Sequence, residues 1–218
     1  MTAHFVDLLD GLKRRSIRMA ALVEDIVQEA CSAVLHADSD LAQRVVGRDA
    51  DVDAEEVEVE AEVIRLLALY QPVGADLRLL CTVLKVNNDL ERIADCAVNV
   101  AERARHVDVR TLGVVFHDLK QMCPTVEHVL AGAVKAFGSQ NVDHAKLVFT
   151  EEEGVDALYG QIIRRVVDEA AAHPARVASF LDVLSVAKNL ERIADHATNI
   201  AEDVVFVCAG EIVRHRKL

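Results

Sequence analysis

Residues 87–102 read NNDLERIADCAVNVAE, and residues 187–202 read AKNLERIADHATNIAE. Ten of the sixteen aligned positions are identical, at an offset of 100 residues. In the first stretch Val86, Leu90, Ile93, Ala94, Ala97 and Ala101 recur at three- and four-residue spacing, which defines the apolar seam of a helix. Upstream there is a weaker echo, Asp49-Ala-Asp-Val-Asp53 against Glu152-Glu-Gly-Val-Asp156. Internal likeness at one offset, in helices of equal rank, points to a duplicated unit.

The rest of the chain divides to match. Residues 3–36 carry a helical pattern through Phe5, Leu8, Leu9, Leu12, Ala20, Val23 and Ile26. Asp38 to Asp40 breaks it and can cap a second helix that runs to about Tyr70. Pro72 and Gly74 turn the chain into a third helix over residues 75–104. Residues 106–113 lack the pattern and read as a linker. A fourth helix is expected over 114–137, with Pro124 a candidate kink, and a fifth up to Ala172. His173–Pro174 turns the chain into a sixth, over residues 176–208. No segment has a strand signal. The expected fold is all-α, with two tandem three-helix bundles over residues 1–107 and 108–218.

Composition narrows the function. The 218 residues include 36 acidic against 24 basic side chains, a formal charge of −12. A hydrophobic share of 52% excludes a disordered acidic protein, and 4% aromatics fits aliphatic helix seams better than a β-sandwich. Nucleic acid is not an expected partner for so acidic a chain, whereas cations are. No signal peptide and no run of about 18 apolar residues is visible. Cys31, Cys81, Cys96, Cys123 and Cys208 are odd in number and scattered, which favours free thiols in a cytoplasmic protein.

Some of the acidic residues are placed with a purpose. Glu91 and Asp95 are four apart, as are Glu191 and Asp195, so each pair shares a helix face. Glu91 and Asp95 lie beside the apolar seam, not within it, while Asp89 points elsewhere. Asp53 lies 19 residues before Pro72 and Glu91 lies 19 after it; Asp49 lies 23 before and Asp95 23 after. In an antiparallel hairpin, equal distance from the turn means equal height. Around Pro174, Asp156 and Glu191 stand 18 before and 17 after, and Glu152 and Asp195 stand 22 before and 21 after.

Four carboxylates so gathered repel one another and need basic partners, raised pKa values or cations. Arg92 and Arg192 could supply a salt-bridged network. Metal binding accounts for more, because it explains pairing within helices, across them and between halves. Oxygen donors suit magnesium, manganese, iron or zinc, with bridging carboxylates allowing more than one ion per site. A di-iron oxygenase bundle is disfavoured, because the third position after each Glu is Ala94 or Ala194 where a histidine would be needed. No Walker A loop, GxGxxG or GxSxG occurs.

The two LERIAD(C/H)A-x-N-(V/I)-A-E repeats resemble the signature of the PhoU family, the phosphate-specific transport system accessory and regulatory proteins. LLALYQPVGADLRLL and NIAEDVVFVCAGEIVRH resemble that family as well, so the likeness covers nearly the whole chain. The resemblance implies two PhoU domains, each a three-helix bundle, with metal clusters held at the surface by E/D-x-x-x-D motifs. Carried over by position, the ligands are Asp49, Asp53, Glu91 and Asp95, then Glu152, Asp156, Glu191 and Asp195. His196 fits a histidine that the family often places after the motif aspartate, and Cys96 departs from it. Either could be a ligand or a packing residue, and Asn99 and Asn199 could be ligands or helix–helix hydrogen-bonding residues.

The resemblance further implies a cytoplasmic, non-enzymatic negative regulator of the phosphate-starvation response. It would link the ATPase of the phosphate ABC transporter to a phosphate-sensing histidine kinase, and so sit peripherally at the membrane. The rival reading is a metal-dependent phosphohydrolase using clustered cations. Pairing into a homodimer is compatible with the general habit of soluble oligomers, and no residue here specifies it.

Overall fold

Leu90, Ile93, Ala97 and Ala101 are buried, and so are their repeat mates Leu190, Ile193, Ala197 and Ala201. The two repeated helices pack against each other, joined through Lys85, Asp89 and Arg103 on the first and Asp182, His196, Asn199 and Asp203 on the second. In the computed structural model, which describes residues 3–104, 106 and 113–213, the described residues are helical apart from short turns. The helices are α1 (Ala3–His36), α2 (Ser39–Gly47), α3 (Asp49–Tyr70), α4 (Gly74–Ala104), α5 (Val114–Ser139), α6 (Val142–Ala172) and α7 (Val177–Ala209). A 3-10 turn, Pro174–Arg176, leads into α7.

α1, α2 with α3, and α4 form one three-helix bundle; α5, α6 and α7 form the other. The bundles join mainly through α4 against α7, and secondarily through α1 against α5. Alanines at 94, 97, 101, 194, 197 and 201 are buried, and small side chains let helix axes approach closely. α4 and α7 run antiparallel. Lys85 near the start of α4 donates to Asp203 near the end of α7 at 2.9 Å, and Arg103 near the end of α4 donates to Asp182 near the start of α7 at 3.3 Å.

The expected second helix is two. α2 ends at Gly47, Arg48 stands between, and α3 starts at Asp49. The Arg48 N–H is shared between the carbonyls of Arg44 and Val45, and its side chain reaches back to α1, 2.8 Å from Glu29. In the second half the corresponding stretch lies inside one continuous helix, α6. Pro124 likewise sits inside an uninterrupted α5. The linker expected over 106–113 falls outside the described residues except for His106 and Gly113, and so does the boundary expected between 107 and 108.

Matching caps mark the duplication. Asp38 Oδ1 accepts from the N–H groups of Asp40 and Leu41, and Asn141 Oδ1 accepts from those of Asp143 and His144. Each satisfies donors that the first turn leaves unpaired. Asp38→Ala or Asn141→Ala is expected to cost about 1 kcal/mol, read as a lower urea midpoint with an unchanged slope.

Candidate metal centre

The turn after α3 brings its acidic face beside α4. Gln71 closes α3 in the left-handed region at φ 46°, and Gly74 opens α4 at φ 60°. The hairpin register is visible in one bond: Asn87 Nδ2 donates to the Glu56 carbonyl at 3.0 Å. Asn87 lies 15 residues after Pro72 and Glu56 lies 16 before it, so equal distance from the turn does mean equal height. In the second half Lys188 Nζ lies 5.5 Å from the Tyr159 ring centroid, 14 residues after Pro174 and 15 before it.

Asp49, Asp53, Glu91 and Asp95 therefore share one neighbourhood. Burial, then the charges of Asp53 and Asp95, raise the Asp49 pKa. Burial, then Asp95, raise that of Glu91, with Arg92 opposing. Glu56 joins the group: burial, Glu60, Asp53 and Asp95 raise its pKa. Sequence reasoning missed Glu56, although its position three after Asp53 puts it on the same face.

The second constellation is tighter electrostatically. Burial, followed by Asp156, Asp195, Glu153 and Glu191, raises the Glu152 carboxyl to about 7. Burial and Glu191 raise Asp195, with Lys188 opposing. Asp49, Glu91, Asp95, Glu152 and Glu191 are half-buried, and Asp53, Asp156 and Asp195 are exposed. The countercharges differ between halves. Arg92 Nε stands 3.3 Å from Glu91 and its Nη1 3.6 Å from Asp95, whereas in the second half Lys188, and not Arg192, pairs with Glu191 at 2.6 Å.

Among the described residues no three His, Cys, Asp or Glu side chains stand together as a preformed cation cage. Like charges gathered on one face repel, and a bound cation would turn that repulsion into attraction. The donor set is oxygen only, which fits magnesium, manganese, iron or zinc.

The raised Glu152 carboxyl carries a pH signature. It binds its proton more tightly folded than unfolded, so its burden on stability is absent below about pH 4.5, grows through the interval up to about 7, and is full above. In chelator, wild type is expected to lose stability relative to Glu152→Gln as pH rises from 5 to 8. Parallel melting curves for the two proteins across that range would refute the shift.

Asp89 and His196 have a different task. Asp89 is buried, and its Oδ1 lies 2.8 Å from His196 Nδ1 and 3.2 Å from Asn199 Nδ2, both on α7. The pair joins the two bundles. At the repeat-related positions stand Asn189 and Cys96. Asn189 donates to the Ser185 carbonyl of its own helix at 2.8 Å, and Cys96 is buried, its thiol pushed up by burial. The Cys/His difference between the repeats is thus matched by the Asp/Asn difference across the seam. Asn99 donates to the Asp95 carbonyl at 2.8 Å.

The molecule is a tandem-repeat helical-bundle protein with an acidic, oxygen-donor face on each repeat. A family profile described as the PhoU domain matches it twice, over residues 17–104 and 119–204. The chain belongs to the PhoU family. It is 34% identical over 216 residues to a phosphate-specific transport system accessory protein PhoU homolog of Caulobacter vibrioides, covering 97% of this chain and 94% of that one. A Pseudomonas aeruginosa protein of the same description is 34% identical over 218 residues, covering 95% and 86%. The crystal structure of PhoU from Pseudomonas aeruginosa superposes with a TM-score of 0.91 at 32% identity, covering 95% of this chain and all of that one. The PhoU structure from Streptococcus pneumoniae shares the fold, with a TM-score of 0.87 at 24% identity over 96% of this chain and 99% of that one.

Proposed function

We propose that this chain is an accessory protein of phosphate transport that negatively regulates the phosphate-starvation response. The observation that carries the reading is the likeness of both halves, over nearly the full length, to proteins described as phosphate transport accessory proteins. The protein acts by contact and not by catalysis. It links the ATPase of the phosphate ABC transporter to a phosphate-sensing histidine kinase and holds the kinase silent when phosphate is plentiful. No described helix is long and apolar enough to cross a membrane, so a place at the membrane would come through these partners. The protein is cytoplasmic and pairs as a homodimer.

Metal ions belong to the same reading. Asp49, Asp53, Glu91 and Asp95 hold one cation cluster, and Glu152, Asp156, Glu191 and Asp195 the other. The cations neutralise the acidic faces and set the surface that partners meet.

Deletion of the gene tests the reading. Phosphate-starvation genes should become expressed in phosphate-rich medium, and the wild-type chain should restore repression. Continued repression in the deletion strain would refute it. Hydrolysis of phosphomonoesters by the purified, metal-loaded protein would move the assignment to a phosphohydrolase.

A further inference from the structure

α1 and α5 make the second contact between the bundles, and they run antiparallel. Lys13 Nζ donates to Gln140 Oε1 at 2.8 Å. A Cβ placed on Gly138 would stand 3.9 Å from Ile17 Cδ1. Further along, one groove is lined by Glu24, Val27 and Gln28 of α1 and by Glu127 and Leu130 of α5. Each turn forward on α1 is a turn back on α5. One turn beyond Val27 stands Cys31, and one turn before Glu127 stands Cys123.

Both thiols are free, and they are only 1% and 0% exposed. They stand near enough to act on each other electrostatically: Cys123 and burial push the Cys31 thiol up, and Glu127 adds to the rise. Two buried thiols thus fall at one level of the α1–α5 contact, one from each bundle and with the Glu127 carboxyl one turn away, where the pseudo-symmetric level carries Ala20 and Val134.

We propose that Cys31 and Cys123 are a redox-responsive dithiol that closes, on oxidation by a hydroperoxide, into a disulfide fastening the first bundle to the second. Cys31 gives its thiol proton to the Glu127 carboxylate, and the thiolate attacks the peroxide. The S–O bond forms, the O–O bond breaks, and the departing oxygen takes the proton from Glu127 to leave as water, or as an alcohol from an organic peroxide. The Cys123 thiol then attacks the sulfenic sulfur. The S–S bond forms, the S–O bond breaks, and a water leaves. Two thiols lose two electrons and one peroxide gains them. Cys123 and burial hold the Cys31 thiol well above its usual range, so it stays protonated while the contact is closed. Reaction therefore follows local opening of the α1–α5 groove, and closure ties the halves in one arrangement.

The test uses the full chain with Cys208→Ser, which removes the exposed thiol. After hydrogen peroxide, non-reducing peptide mapping should show one linked pair joining Cys31 to Cys123, with Cys81 and Cys96 still free. The melting temperature should rise by about 5–10 °C over the sample kept in dithiothreitol. Cys123→Ser should abolish both signals and leave Cys31 to oxidise alone. Cys31→Ala serves as the second control should serine at position 123 fail to fold. A map in which Cys31 and Cys123 stay reduced, or in which Cys31 over-oxidises in the presence of Cys123 without linking, overturns the proposal.

Discussion

Replacing Glu91, Asp95, Glu191 and Asp195 together by alanine is expected to remove most of the divalent cation the protein binds, with its helices intact. The four side chains flank the core, so no cavity opens. The ion pairs lost, Arg92 with Glu91 and Asp95 and Lys188 with Glu191, are surface pairs worth about 0–1 kcal/mol each. Against that loss, like charges at i,i+4 disappear from both helices, a gain of a few tenths of a kcal/mol per pair. In chelator the variant should therefore melt near wild type. In manganese or zinc the two should part. A cation at about 100 times its dissociation constant stabilises wild type by about 2.7 kcal/mol, and the variant would miss that gain. Elemental analysis after desalting, with circular dichroism alongside, checks both halves of the expectation. Unchanged metal content would sink the site assignment.

Arg165→Leu is expected to be the most damaging of the single polar replacements, at about 3 kcal/mol. Asp118 on α5 is 1% exposed, and its Oδ1 takes Arg165 Nη1 at 2.6 Å and Gln161 Nε2 at 2.7 Å, both from α6. Leucine keeps much of the apolar stem but leaves a buried carboxylate with one neutral donor. Breaking a buried pair from one side costs far more than replacing both partners. The melting temperature should fall by about 6–12 °C. Adding Asp118→Asn should recover a large part of the loss, because the residual group is then uncharged. A single variant that melts with wild type would show that solvent at the half-exposed arginine end already screens the pair.

Periodicity exposed the helices because a 3.6-residue repeat of apolar side chains is local information. The turn at Pro72 made the heights of Asp49, Asp53, Glu91 and Asp95 computable, and the Asn87–Glu56 bond shows that count to be right within a residue. Gly47–Arg48 was not legible as a break, since nothing in its composition differs from a helix interior that tolerates one glycine. The break instead goes with the tertiary reach of Arg48 to Glu29. Glu56 has no i,i+4 partner in the repeated motif, and only the packing of α3 beside α4 brings it near Asp95.

The amino-acid sequence by itself determined the helical pattern apart from the break at Arg48, its duplication and the main carboxylates of the two acidic faces, because each depends on spacing along one chain or across one short turn. Only the tertiary structure decided what joins the halves. Which face of α4 meets α7, and so why Asp89 answers His196 while Asn189 stands in the place related to it, depends on the packing of helices that lie a hundred residues apart. The same holds for Cys31 and Cys123, whose meeting follows from the antiparallel register of α1 and α5. Packing between distant helices is set by the shape of whole seams, and no local spacing encodes it.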